Sequence, residues 1–134
     1  MNVIWKFVLV CLVLGSISFP SVYVQKIAVN GTAHEAMAPC EGNNFSITAT
    51  DGSYMVIVLN SPDSGEAPVD DKVMTEGCGD CPFIQVMSLT EGKEYYSKSG
   101  TMTHTGNNIK FAVKVYAPDA PDTLIDVSGD VTCQ

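Results

Sequence analysis

From Asn44 to Asn60 apolar and polar residues alternate with the period of a half-buried strand. Phe45, Ile47 and Ala49 interleave with Ser46, Thr48 and Thr50, and a second run, Ser53 to Leu59, follows Asp51-Gly52. Asp-Gly suits a type I′ hairpin turn, because both central residues of that turn take positive φ. A two-residue turn there predicts Ala49 opposite Tyr54, Ile47 opposite Val56 and Phe45 opposite Val58. Those six then share one face. Met55, Ile57 and Leu59 occupy the other, so the second strand is expected to be central and partly covered on both sides.

A second hairpin is expected nearer the C-terminus. Thr101 to Thr105 leads into a turn at Gly106-Asn107. Asn108 to Tyr116 then alternates Ile109, Phe111, Val113 and Val115 with Lys110, Ala112 and Lys114. This register places His104 opposite Ile109 and Met102 opposite Phe111. Phe83 to Leu89 is a third strand-like run, and Val22 to Val29 and Lys93 to Ser97 are weaker ones. Pro118 and Pro121 read as a break before Thr123 to Val127, expected as an edge strand. No helical stretch emerges.

Short strands separated by Gly, Pro, Asn and Asp predict an all-β fold. The expected form is a small antiparallel β-sandwich of immunoglobulin-like architecture. It lacks the antibody-type Cys/Trp core, because the only tryptophan is Trp5. A small barrel is the alternative. Between Asn60 and Pro82 the alternation stops. Asp63, Glu66, Asp70, Asp71, Glu76 and Asp80 stand there against a single lysine, Lys72. Residues 60–82 are therefore expected to form a long acidic surface loop, the kind of connection that is often functional. Val69, Val73 and Met74 could form a short edge strand within it.

The first residues change the picture by setting the compartment. Lys6 precedes the apolar run Phe7 to Leu14, and the small residues Gly15, Ser16 and Ser18 follow. That order predicts a secretory signal peptide over 1–18, cleaved after Ser18. Ser16, Ser18, Pro20 and Ser21 interrupt the run before it reaches the length of a membrane span, so none is expected. A single secreted domain over 19–134 remains, large enough to bury one core. It keeps six lysines against 15 acids, a formal charge of −9, and contains no arginine. Such a polyanion argues against nucleic acid as a partner. An extracellular protein, a glycan or a matrix component fits better. Asn30-Gly31-Thr32 and Asn44-Phe45-Ser46 are glycosylation sequons, so Asn30 and Asn44 are expected acceptors.

Loss of Cys11 with the signal leaves Cys40, Cys78, Cys81 and Cys133, an even number that reads as two disulfides. Four cysteines allow three pairings. The ends of a β-turn lie within disulfide reach, and Gly77 and Gly79 loosen the chain around Cys78-Gly79-Asp80-Cys81. Cys78–Cys81 with Cys40–Cys133 is the favoured pattern, and a crossed pattern is the competitor. By loop entropy the short bridge contributes about 1.9 kcal/mol and the long one about 4.7 kcal/mol.

Chemistry finds little support in the residues. A redox C-x-x-C needs a stabilised thiolate, and Glu76 and Asp80 are the wrong neighbours for one. Zinc would need two further ligands, and His34 and His104 lack the spacing. No hydrolase, metalloprotease or phosphate-loop motif is present. Neither the acids of 60–82 nor Asp119, Asp122, Asp126 and Asp130 match a dedicated calcium loop, which leaves at most weak calcium association. No cofactor, metal or catalytic residue is expected. The expected role is a non-catalytic extracellular recognition module, with the acidic 60–82 loop as the first contact surface. A structural matrix protein that gathers cations or mineral is second, and a thiol–disulfide oxidoreductase at Cys78 and Cys81 is third.

Overall fold

The computed structural model describes residues 25–133. The expected signal peptide, 1–18, lies outside the described residues, as does the Val22 to Val24 part of the first strand candidate. Nine strands form: β1 (Gln25–Val29), β2 (Thr32–Met37), β3 (Phe45–Ala49), β4 (Tyr54–Leu59), β5 (Gly65–Pro68), β6 (Phe83–Ser88), β7 (Lys93–Thr105), β8 (Asn108–Ala117) and β9 (Ala120–Thr132). One helical turn, α1 (Lys72–Thr75), lies between β5 and β6.

Apart from β5, each strand pairs antiparallel with its neighbours in the chain, and β9 returns to β1. The sheet therefore closes as an eight-stranded up-and-down barrel, the alternative expected from sequence, and not as a sandwich. Strand alternation carries the same period in both architectures, so it does not distinguish them. What closes the sheet is β9. Expected as an edge at Thr123 to Val127, it runs 13 residues and pairs with both β8 and β1. Pro121 does not break it. The proline falls where the β8–β9 register is interrupted, so no ladder hydrogen bond is asked of it. The register skips three residues there, between Ala117↔Ala120 and Tyr116↔Leu124.

An eight-stranded barrel encloses a space that side chains can fill. Ile27, Ile47, Val56, Val58, Met102, Ile109 and Val115 are wholly buried inside it, with Phe111, Val113 and Val127 beside them. The β3–β4 register is the one the alternation predicts, Phe45↔Val58 and Ile47↔Val56. The β7–β8 register also follows, with Met102↔Phe111 and His104↔Ile109. The turn chemistry differs. At Thr50–Ser53 only Gly52 has positive φ, and Gly52 N–H donates to Ala49 O, so Asp51-Gly52 is not type I′. The left-handed pair lies at Asn30 (φ 50°) and Gly31 (φ 84°), in the β1–β2 turn.

Residues 60–82 do not form one structureless loop. Gly65–Pro68 pairs with Thr101–His104 as β5, extending the edge of β7 beyond the stretch that β6 occupies. The expected strand residues Val73 and Met74 lie instead in α1, and Val69 is a buried anchor. Ser97 Oγ donates to Asp70 O and accepts from Ile84 N–H, which fixes the segment against β6 and β7.

Candidate functional site

Both disulfides follow the favoured pairing, Cys40–Cys133 and Cys78–Cys81. Cys40, just past β2, and Cys133, just past β9, pack against the core and join two chain segments at one end of the barrel. Cys78–Cys81 lies in the same region, where Asn60 organises three loops. Asn60 sits at φ 55° with its backbone N–H bonded to Asn44 Oδ1 at 2.8 Å. Its Nδ2 donates to Gly79 O at 3.1 Å and to Cys81 O at 2.9 Å.

Three of the six acids of 60–82 have separate partners. Asp63 accepts from Asn43 Nδ2, Asp70 from Lys72 N–H, and Asp71 from Lys98 Nζ at 3.0 Å. The Asp71 carboxylate holds the Lys98 ammonium above its usual range. Glu66 lies on β5, Glu76 ends α1, and Asp80 sits inside the Cys78–Cys81 loop. Asp80 Oδ1 is 3.3 Å from Cys78 Sγ, a disulfide sulfur with no proton to donate. On β9, Asp126 pairs with Lys114 and Asp130 with Lys110. Among the described residues, the only group of three or more metal-type side chains that converges is Cys78, Asp80 and Cys81.

One constellation escapes a reading of spacing alone. His34 of β2 meets Asp51 and Ser53 of the β3–β4 turn, and its ring stands edge-on to Tyr54. The residue types are those of a catalytic triad, but the geometry is not. A triad places carboxylate and hydroxyl on opposite ring nitrogens. Here Asp51 Oδ2 (2.8 Å) and Ser53 Oγ (3.2 Å) both approach Nδ1, and Ser53 Oγ donates to Asp51 Oδ1. The cluster pins a turn to β2. His104 Nδ1 lies 2.7 Å from Pro62 O, a carbonyl that can only accept, so that nitrogen carries the proton.

The sequon residues are both exposed. Asn30 stands at the tip of the β1–β2 turn and its side chain makes no hydrogen bond among the described residues. Asn44 uses only Oδ1, and the nitrogen to which a glycan attaches stays free.

The outer surface of the barrel is divided by chemistry. Register aligns Met37, Thr48, Met55 and Met87 across β2, β3, β4 and β6. A second row aligns Ser46, Ile57, Gln85, Tyr96, Tyr116 and Leu124 from β3 round to β9. Charge enters only at their margin, where Glu94 of β7 pairs with Met87 and Lys98 Nζ lies 5.9 Å from the Tyr116 ring centre, and Met37 (57% exposed) and Leu124 (47%) stand well into solvent. Tyr96 lies beside Tyr116 with ring centres 6.3 Å apart. Round the other side, Lys26↔Asp130↔Lys110 and Lys114↔Asp126 form charged rows. Between those rows a groove of about 430 Å³ runs over small residues, Ala28, Ala33, Ala112 and Ser128 among them.

No helix among the described residues is long and apolar enough to cross a membrane. Comparison of the chain with protein-family models, with curated proteins and with solved structures finds no match.

Proposed function

We propose that this chain is a secreted, non-catalytic recognition module that engages an extracellular protein through the methionine- and tyrosine-bearing outer face of its barrel. The observation that carries the reading is the segregation of outward side chains. Met37, Met55, Ile57, Met87, Tyr96 and Tyr116 share one side, while Lys26, Lys110, Lys114, Asp126 and Asp130 share another. A packed interior leaves the outside as the surface for contact. Clustered apolar surface on a soluble domain marks interaction sites, and Met and Tyr are enriched at their centres. The same argument favours this face over the acidic 60–82 segment, where Asp63, Asp70 and Asp71 are each bound to a separate partner. Two disulfides suit an oxidising compartment, and the exposed Asn30 and Asn44 side chains suit glycosylation there.

The test is direct. The processed, secreted protein is immobilised and challenged with extracellular proteins, and a saturable partner is sought. Met55→Lys and Met87→Glu place charge at the centre of that face without entering the core, and each should abolish that binding while circular dichroism stays unchanged. Unaltered binding by both variants, or loss only on Lys26→Glu and Lys110→Glu, sinks this assignment.

A further inference from the structure

Neither Cys78 nor Cys81 is packed against the core, in contrast to Cys40 and Cys133. The loop between them is nevertheless held by contacts other than the S–S bond. Cys78 N–H donates to Lys72 O at 3.2 Å. Asn60 Nδ2 grips the carbonyls of Gly79 and Cys81, and Asn60 itself is tied to Asn44. Opening the bridge therefore leaves the backbone of the loop fastened at both ends. What it frees is two sulfurs beside a carboxylate. The ligand atoms of Cys78, Asp80 and Cys81 all lie within 4.8 Å of one another.

We propose that reduction of Cys78–Cys81 uncovers a site for a thiophilic divalent cation, best fitted by Zn²⁺, with the two thiolates and the Asp80 carboxylate as ligands. C-x-x-C is the spacing at which one chain chelates zinc through two sulfurs. Tetrahedral bonds of about 2.3 Å to zinc hold the sulfurs about 3.8 Å apart. Gly77 and Gly79 give the loop room to open to that width, because no atom lies within 4 Å of where a Cβ would stand at either position. The expectation that zinc lacks further ligands looked to the histidines. Asp80, inside the motif, supplies a third ligand without any help from them. Three protein ligands leave a fourth position for water, so the site is an open one.

The chemistry balances with a thiol reductant. Two thiol molecules deliver two electrons and two protons to the bridge, giving the Cys78 and Cys81 thiols and one external disulfide. Zn²⁺ then displaces both protons, because only thiolates bind it. An external disulfide reverses the change: it accepts two electrons from the thiolates and, with two protons from water, leaves as two thiols, while the bridge re-forms and Zn²⁺ is released. Metal occupancy thus follows the redox state of the surroundings, and the core bridge Cys40–Cys133 takes no part.

The full processed chain tests this. A water-soluble phosphine, which ends as its oxide and leaves no thiol to compete for metal, reduces the half-buried Cys78–Cys81 bridge. Alkylation and mass spectrometry identify which cysteines are free. Zn²⁺ is then added and counted by native mass spectrometry, and Cd²⁺ is used in parallel to read thiolate-to-metal charge-transfer absorbance. The reduced chain should take up one Zn²⁺ and the oxidised chain none. Cys78→Ser/Cys81→Ser, reduced in the same way, controls for the Cys40 and Cys133 thiols and should take up none. Asp80→Asn should bind about tenfold more weakly or worse. The proposal is overturned if the reduced chain binds no Zn²⁺, if the double variant binds as the parent does, or if Asp80→Asn leaves affinity unchanged.

Discussion

Gly129 and Phe111 face each other across β9 and β8, and the phenyl ring occupies the place where a side chain on Gly129 would begin. Gly129 does not have positive φ, so glycine is required for space and not for backbone freedom. Phe111 is 3% exposed and packs within the core cluster. Gly129→Ala should therefore destabilise the barrel by about 1–3 kcal/mol through overpacking. Urea denaturation measures this. Phe111→Leu in the same chain should recover part of the loss, a coupling that a double-mutant cycle reads directly. Additive losses would show that the ring yields.

Ser97 is the one fully buried polar residue that joins the barrel wall to the acidic segment. Removing its hydroxyl leaves Ile84 N–H and Asp70 O without partners in a site closed to water. Ser97→Ala should cost about 1–3 kcal/mol, the desolvation penalty of the orphaned groups. Limited proteolysis should also speed up between residues 70 and 76, because Asp70 then loses its tie to β7. Unchanged cleavage there would place the segment's anchorage in Val69 alone.

Pairing register was legible in the chain because side-chain alternation has a strict period of two. Phe45 could pair with Val58 in only one phase that keeps both inside, and Met102 with Phe111 likewise. Closure was not legible. It depends on Val127 and Val131 of β9 facing the same interior as Ile27 and Val29 of β1, almost 100 residues earlier in the chain, and alternation is blind to partners at that distance. β2 left little trace, since Ala36 is its only buried residue and the rest of the strand meets solvent. β5 left none. Gly65, Glu66 and Pro68 are poor strand formers, and they are recruited because β7 overruns β6 and leaves an edge to cover.

The disulfide pairing could be favoured from spacing, since Cys78 and Cys81 sit at turn distance and leave only one other pair. The division of the outer surface could not. Met37, Met55 and Met87 are far apart in the chain, and only the strand order sets them in one row. Closeness in sequence did not foretell where the acids of 60–82 turn. Asp63, Asp70 and Asp71 each meet a different partner.

The two bridges should differ sharply in what they contribute. Cys40–Cys133 spans 93 residues and lies next to the thinnest seam of the barrel, where β2 and β3 share only Ala36↔Ala49 and Met37↔Thr48. Replacing both cysteines by serine should remove about 4.7 kcal/mol by the loop-entropy model, against about 1.9 kcal/mol for Cys78 and Cys81. Denaturant midpoints order the two variants. Hydrogen exchange locates the damage, which for Cys40→Ser/Cys133→Ser should appear first in β2 and the last turn of β9. Equal losses would mean that the long bridge acts on the folded state through strain and not on the unfolded chain.

Acid should probe the turn that His34 and Asp51 share. The Asp51 carboxyl is drawn down from 3.8 to about 2, first by the Ser53 hydroxyl, then by His34, then by Ser53 N–H. A carboxyl whose pKa falls on folding favours the fold when ionised. Its contribution is therefore present above about 3.8 and is lost as the pH falls through about 2. The group is open to solvent, so its own titration is a cleaner readout than global unfolding. The Asp51 carboxyl chemical shift should turn near pH 2. Ser53→Ala removes the largest cause and should raise that midpoint towards 3.8, and His34→Ala should raise it less. A midpoint near 3.8 in the parent chain would mean that neither the Ser53 hydrogen bonds within the turn nor the His34 bond to β2 is held in solution.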